Sequence, residues 1–370
     1  MAAPAQPRTD RRPELSGFTP IEKVILAAVV VVTVLAGVAR YAHGISRVIA
    51  FVLAMLSLAG LAWIVALATE EVGERLGVAA TGLMQSTIGN LPEFFVVIFA
   101  LQAGQKIVAE TAILGSIFSN ALLVLGLVII AGALRERKHD GIMRFSPRLP
   151  NDTATLLLVS SFIIVLIGLT QSSGDVASHH VKTISIIGAV VILIVYATWL
   201  RQYLTTPDPP GMRVKGEPRL TLVASIALLV IAGTASAFVS DWFINALEPT
   251  IETLDISKAF AGLVIVAIAG NAVEHASGVV LAAKGQSNLA ISVVKNSVAQ
   301  IAAFLYPLLV LVSLLTATTL TFSLAPVYIG ALIGTAVIVW QITGDGEATV
   351  FEGAALAATF VILATVAAFE

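Results

Sequence analysis

The chain has 370 residues, 58% hydrophobic and 12% charged, with a formal net charge of -2 and a mean hydropathy of +0.96. Soluble domains hold about 45–50% apolar and about 25% charged residues, so this composition describes one polytopic membrane domain with no large soluble part. With no cysteine in the chain, disulfides, thiolate metal sites and cysteine nucleophiles are excluded.

Residues 1–20 are rich in Pro, Ala and Arg, including Arg8, Arg11 and Arg12, and are expected to form a disordered cytoplasmic tail. The first apolar run, 21–40, reads as a retained initial span, because no small-residue cleavage site follows it. Further apolar runs occupy 45–68, 78–101, 107–133, 152–169 and 181–204. After a Pro/Gly-rich linker at 205–218 they resume at 220–240, 257–283, 288–316, 322–342 and 348–369. The expected fold is therefore all-α, with about eleven membrane-spanning helices. Its domains are a first membrane repeat at 41–204 and a second at 219–370, joined by that linker.

Connector charge sets the orientation. With the amino terminus inside, inside connectors hold Arg75, Arg135, Arg137, Lys138, Arg144, Arg148, Arg213, Lys215 and Lys284, whereas outside ones hold Arg40, Arg47, Lys106, Lys182 and Lys258. Counting all such residues gives roughly a threefold excess inside, as the positive-inside rule requires. The outside connector before the eighth span is acidic, with Asp241, Glu248, Glu252 and Asp255. It reads equally as an entrance that concentrates cations and as a solvated loop with helix-capping acids.

Two stretches repeat. Gly89-Asn90-Leu91-Pro92-Glu93 and Gly270-Asn271-Ala272-Val273-Glu274 share a Gly-Asn-x-x-Glu frame. The same ungapped offset also pairs Gly104 with Gly285, Gln105 with Gln286, Ala109 with Ala290, Ser116 with Ser297 and Ala121 with Ala302. About eight identities fall within roughly thirty-three positions. Five spans per half is an odd number, so the two copies enter the membrane from opposite faces. Inverted repeats of this kind place substrate sites near the midplane, where the copies meet.

Each motif places an acid inside an apolar span, where an ionisable group is costly and marks a functional site. Asn90 with Glu93, and Asn271 with Glu274, are spaced i, i+3 and project from one face of a helix. Gly89, Gly270 and Pro92 weaken the helix beside them, which frees backbone carbonyls to face a cavity. Carboxylate, amide and carbonyl oxygens are hard donors, and Ca2+ takes six to eight of them. A second row on the following span adds Ser116, Ser119 and Asn120, mirrored by Ser297 and Gln300. Burial raises the pKa of a carboxylic acid and a bound cation lowers it, so a buried pair of glutamates holds either protons or a divalent cation. Competition of that kind is the basis of antiport.

The sequences GNLPEFFVVIFAL with LGSIFSNALLVLG, and GNAVEHASGVVLAAKG with SVVKNSVAQIAAF, closely resemble the two alpha-repeats of the cation/proton exchanger branch of the calcium/cation antiporter superfamily. The resemblance implies a Ca2+/H+ antiporter, not an enzyme, with an initial helix followed by two inverted five-helix repeats. Carried over by motif position, Glu93 and Glu274 are the alternating cation and proton ligands. Asn90, Asn271, Ser116, Ser297 and Gln300 line the site, and the spans at 45–68 and 220–240 are the mobile gating helices. Ca2+ and H+ are then transported ions, no cofactor is implied, and the partners are those ions and the lipid bilayer, with no nucleic acid. The short loops fit a bacterial cytoplasmic membrane.

Two departures from the family pattern stand out. The linker at 205–218 is short and slightly basic where relatives carry an acidic helix, and Asn296, preceded by Lys295, replaces the usual glycine before Ser297. Counting helical steps, Lys295 points away from Ser297 and lies near the cytosolic end, within snorkelling reach of the interface. His275 follows Glu274 and titrates in a range suited to a proton relay; a neutral histidine hydrogen-bonded in the bundle is the alternative. Glu352 lies within the last span and has no assigned role. The alternative functions are Na+-coupled calcium or Na+/H+ exchange and a passive cation channel. Na+-coupled relatives carry extra acids around positions 296 and 297, and none is present here.

Overall fold

The computed structural model describes residues 17–42, 44–76, 88–146, 148–205 and 218–370. Twelve helices follow one another: α1 Pro20–Tyr41, α2 Arg47–Leu76, α3 Leu91–Gln102, α4 Lys106–Lys138, α5 Arg148–Ser172, α6 Val181–Thr205, α7 Leu222–Leu254, α8 Lys258–Gly270, α9 Ala272–Ala283, α10 Ser287–Leu315, α11 Pro326–Thr343 and α12 Val350–Ala368. Among the described residues nine are long and apolar enough to cross a membrane, and α8 with α9 makes a tenth that is bent by 61°. The expected span 78–101 is represented by the 12-residue α3, because residues 77–87 lie outside the described residues, as do most of the tail and of the linker.

Local sequence explains where these helices begin. Thr19 and Glu22 form a reciprocal capping box around Pro20, and Thr349 with Glu352 forms another at the start of α12. Glu352, unassigned from sequence, accepts from both the amide and the hydroxyl of Thr349. At 1.5 Å per residue, the 22 residues of α1 span about 33 Å, close to a bilayer core of about 30 Å.

The seventh expected span is too short in the sequence-based reading. The helix does not stop at 240 but runs 33 residues to Leu254, through Pro249, and absorbs most of the acidic connector. Asp241 accepts from Asn245 one turn on, and Glu248 pairs with Lys258 at 2.6 Å.

The long helices α2 and α7 lie along each other, and α1 packs on both. The remaining helices form a core in which α4 of the first half crosses α8 of the second. The crossing depends on two glycines. A Cβ on Gly115 would fall 2.2 Å from the Leu263 carbonyl oxygen, and one on Gly262 would fall 2.8 Å from that of Val108. Small residues permit such close backbone approach between membrane helices. Gly115→Ala is therefore expected to destabilise the protein by about 1–3 kcal/mol. Gly330→Ala, whose Cβ would meet nothing within 4 Å, leaves stability unchanged or slightly raised. Thermal unfolding in detergent separates the two.

π-helical turns interrupt α4 at Ser119–Val124 and α10 at Ile301–Leu305, the same place in the two repeats, and a third lies in α8 at Ala261–Val266. Such bulges often occur at functional sites. One element has no counterpart in the sequence-based expectation: strand β1, Ile142–Arg144, pairs antiparallel with β2, Glu347–Thr349, with Met143 opposite Ala348. This clasp joins the connector after α4 to the connector before α12. Arg144 pairs with Glu347 at 3.0 Å and Asp140 at 2.6 Å, which holds the Asp140 carboxyl below its ordinary range.

Candidate functional site

Both motifs sit where a helix is interrupted. The chain turns at Gly89 and Asn90 before α3, and at Asn271 between α8 and α9. Asn90 (φ -85°, ψ 10°) and Asn271 (φ -107°, ψ 15°) leave helical geometry, and neither side chain caps its own helix. Pro92 falls in the first turn of α3, where a missing amide proton costs nothing. Glu93 and Glu274 occupy the first turns of α3 and α9. Each acid therefore lies at the positive end of a half-helix, which favours negative charge.

Around Glu93 the two halves interlock. A Cβ on Gly270 would lie 3.9 Å from the Glu93 Cβ, so the two motifs are separated by room for about one carbon. Asn271 donates from Nδ2 to the Ser116 hydroxyl at 2.9 Å and to the Ala267 carbonyl at 2.9 Å. Its Oδ1 accepts from Asn120 Nδ2 at 3.2 Å, which also donates to the Ser116 carbonyl at 3.0 Å. Asn120, Ser116 and Asn271 are all fully buried.

Glu93 is 4% exposed, and both its carboxylate oxygens lack a hydrogen-bond partner among the described residues, although Ser116 and Asn271 lie beside it. The Glu274 carboxylate is partly buried and close enough for the two charges to repel. A cavity of about 10 Å³ adjoins Glu93, walled by Leu58 of α2, Phe243 of α7, Val96, Val266, Ala269 and Gly270. It has room for about one water-sized species. The two helices expected to gate the site thus supply its apolar lid.

Of the residues singled out by sequence, Ser116 and Asn271 bond to each other beside Glu93, with Glu274 within electrostatic reach. Asn90, Ser297 and Gln300 are buried, and the Ser297 hydroxyl lacks a hydrogen bond among the described residues. His275 is partly buried with Nε2 similarly unpartnered. Asn120, visible in sequence only as a neighbour of Ser116, is a full member of the cluster. Its counterpart in the second repeat is Ile301, which offers no polar group, so the two half-sites are unequal.

Lys295 does not snorkel. It is 3% exposed, and its ammonium donates to the Thr343 hydroxyl at 2.6 Å, at the end of α11. Thr343 in turn donates to the Val339 carbonyl. The last turn of α11 offers this ammonium a buried hydroxyl acceptor.

A family model described as sodium/calcium exchanger protein matches residues 46–201 and again 224–369. The chain is 32% identical over 323 residues to a vacuolar calcium ion transporter of Schizosaccharomyces pombe, covering 85% of this chain and 77% of the relative. It is 32% identical over 338 residues to a Ca(2+)/H(+) antiporter of Synechocystis sp., covering 85% and 89%. Among solved structures, native YfkE superposes with a TM-score of 0.77 at 25% identity, covering 94% of this chain and 99% of that one. With both halves matched and the fold shared, the chain belongs to the sodium/calcium exchanger protein family, on its cation/proton exchanger branch.

Proposed function

We propose that the protein is a secondary active antiporter that exchanges Ca2+ for H+ by alternating access, with Glu93 and Glu274 holding the cation or protons in turn. One observation carries this reading. A buried carboxylate of the first repeat, Glu93, has no protein donor among the described residues and faces a carboxylate of the second. Two facing acids in a low-dielectric site must be neutralised, and either protons or one divalent cation does so. Exclusive occupancy of that kind couples the two fluxes.

The Ser116 hydroxyl already accepts from Asn271, so its remaining lone pair and its proton serve the site. Backbone carbonyls at the two helix breaks, with water, complete the six to eight oxygens that Ca2+ requires. The relatives named as Ca(2+)/H(+) antiporters support this ion pair. The basic connectors favour a cytoplasmic amino terminus in a bacterial cytoplasmic membrane, where protons moving inward would drive calcium out.

The test uses purified protein in proteoliposomes with the membrane potential clamped. Under an imposed pH gradient, radioactive calcium is expected to accumulate without sodium. Uptake that requires a sodium gradient would replace H+ by Na+ in the scheme, and flux indifferent to both gradients would make the protein a channel.

A further inference from the structure

We infer that α1 is part of the moving unit: α1, α2 and α7 shift as one body against the rest of the bundle, fastened at one end by a charge knot centred on Glu71. The inference rests on the alternating-access reading above, in which α2 and α7 gate the site.

A single stripe of α1 meets both gating helices along its length. Val29 enters a notch at Gly60 of α2, where a Cβ would fall 2.5 Å from Val29 Cγ2. Four residues on, the hydroxyls of Thr33 and Ser57 share a hydrogen bond of 2.6 Å. Four further, Gly37 admits the Trp242 ring of α7, which a Cβ would approach to 3.0 Å. Tyr41 then packs edge-on against Trp242 with ring centroids 6.2 Å apart. The rest of α1 is apolar and outward-facing, with 11% of its apolar window buried.

The knot closes the stripe at its other end. Glu71 of α2 is 2% exposed. Its Oε2 accepts from the backbone amides of Arg219 and Leu220 at 2.8 and 3.0 Å, and its Oε1 from Arg219 Nε at 3.0 Å. Arg219 Nη1 continues to both carboxylate oxygens of Glu22 on α1 at 2.9 and 3.1 Å. Arg75 of α2 donates to the Leu220 carbonyl. One buried carboxylate thereby joins α1, α2 and the residues leading into α7, with every partner inside the proposed unit. A buried charge held by three hydrogen bonds is costly to break.

The link from this unit to the core is of a different kind. Glu248 of α7 accepts from Gln105, between α3 and α4, at 3.3 Å, and pairs with Lys258 of α8 at 2.6 Å. Both charged side chains are nearly half exposed. Such pairs contribute little and break readily. The buried charge lies within the unit, and the charged contact at its boundary is half exposed, beside apolar packing of α7 on α3. Glu71 and Arg219 are accordingly positioning residues for transport.

The absence of native cysteine makes cross-linking decisive. Thr33→Cys with Ser57→Cys joins α1 to α2, and oxidation should leave pH-driven calcium exchange in proteoliposomes within about twofold of the reduced protein. Gln105→Cys with Glu248→Cys, whose long native side chains meet only at their tips, is bridged with a short bis-methanethiosulfonate, which joins the core to α7 and should lower exchange at least ~10-fold, reversibly with reductant. Reversible inhibition by the first pair would show that α1 stays behind when α2 moves and would overturn the inference. Free exchange with the second pair bridged would overturn it as well. Failure of the unmodified chain to exchange calcium would instead overturn the functional reading. Glu71→Gln should lower the maximal rate about 10-fold at an unchanged calcium KM; a raised KM at an intact rate would remove the knot from the moving unit.

Discussion

Glu93→Gln and Glu274→Gln are each expected to reduce pH-driven calcium uptake in proteoliposomes to the level of empty vesicles, while both variants still insert and elute as the parent does. Glutamine keeps the shape of the side chain but neither carries charge nor exchanges a proton. Removing one charge about 4 Å from a divalent cation costs about 8 kcal/mol at an effective dielectric constant of about 20, before the desolvation it saves. Even half of that corresponds to roughly a thousandfold in affinity. The proton side of the cycle fails in the same variant, because the substituted position no longer titrates. Folding should survive, since Glu93 makes no hydrogen bond among the described residues that the amide would lose. Unaltered calcium transport by both variants would remove the two acids from the site.

Asn271→Ala is the second large effect, and it acts through neighbours. The side chain makes three hydrogen bonds at full burial, to Ser116, to Ala267 and from Asn120. Its removal frees the Ser116 hydroxyl to turn away from Glu93 and strips Asn120 of a partner. Each unsatisfied buried group costs about 1–3 kcal/mol, so exchange should fall by about 10–100-fold, with a lowered melting temperature. Asn90→Ala should cost less, because the offset that maps Asn271 onto Asn90 maps its amide partner Asn120 onto the apolar Ile301. Initial rates of calcium uptake across a calcium series compare the two. Equal losses would contradict the inequality of the half-sites.

Much of this arrangement is legible in the chain. Apolar runs long enough to cross a bilayer announce the helices, and glycine and proline beside Glu93 and Glu274 announce the breaks, because both effects are local. The extension of α7 to Leu254 is hidden for the opposite reason: Asp241, Glu248 and Glu252 look like a solvated loop, yet they lie on a helix too long for the hydrocarbon layer. At about 50 Å it outreaches that layer by some 20 Å. Lys295 and Glu71 are misplaced or overlooked because their partners, Thr343 and Arg219, lie far along the chain. Position in a run does not reveal a distant acceptor. The clasp of β1 and β2 is three residues a side and joins segments more than two hundred positions apart, so no periodicity betrays it.

That clasp has a consequence for how such a molecule could be assembled. The offset that superimposes the two motifs carries β1, after the third span of the first half, to a connector on the opposite face; β2 lies between the fourth and fifth spans of the second half. The two strands are therefore not images of one another. A dimer of identical half-length chains, inserted in opposite directions, would reproduce the paired glutamates but would have no symmetric means of forming this ladder once and only once. The ladder belongs to the fused chain alone, and marks a point where joining the halves created an attachment that neither could encode separately.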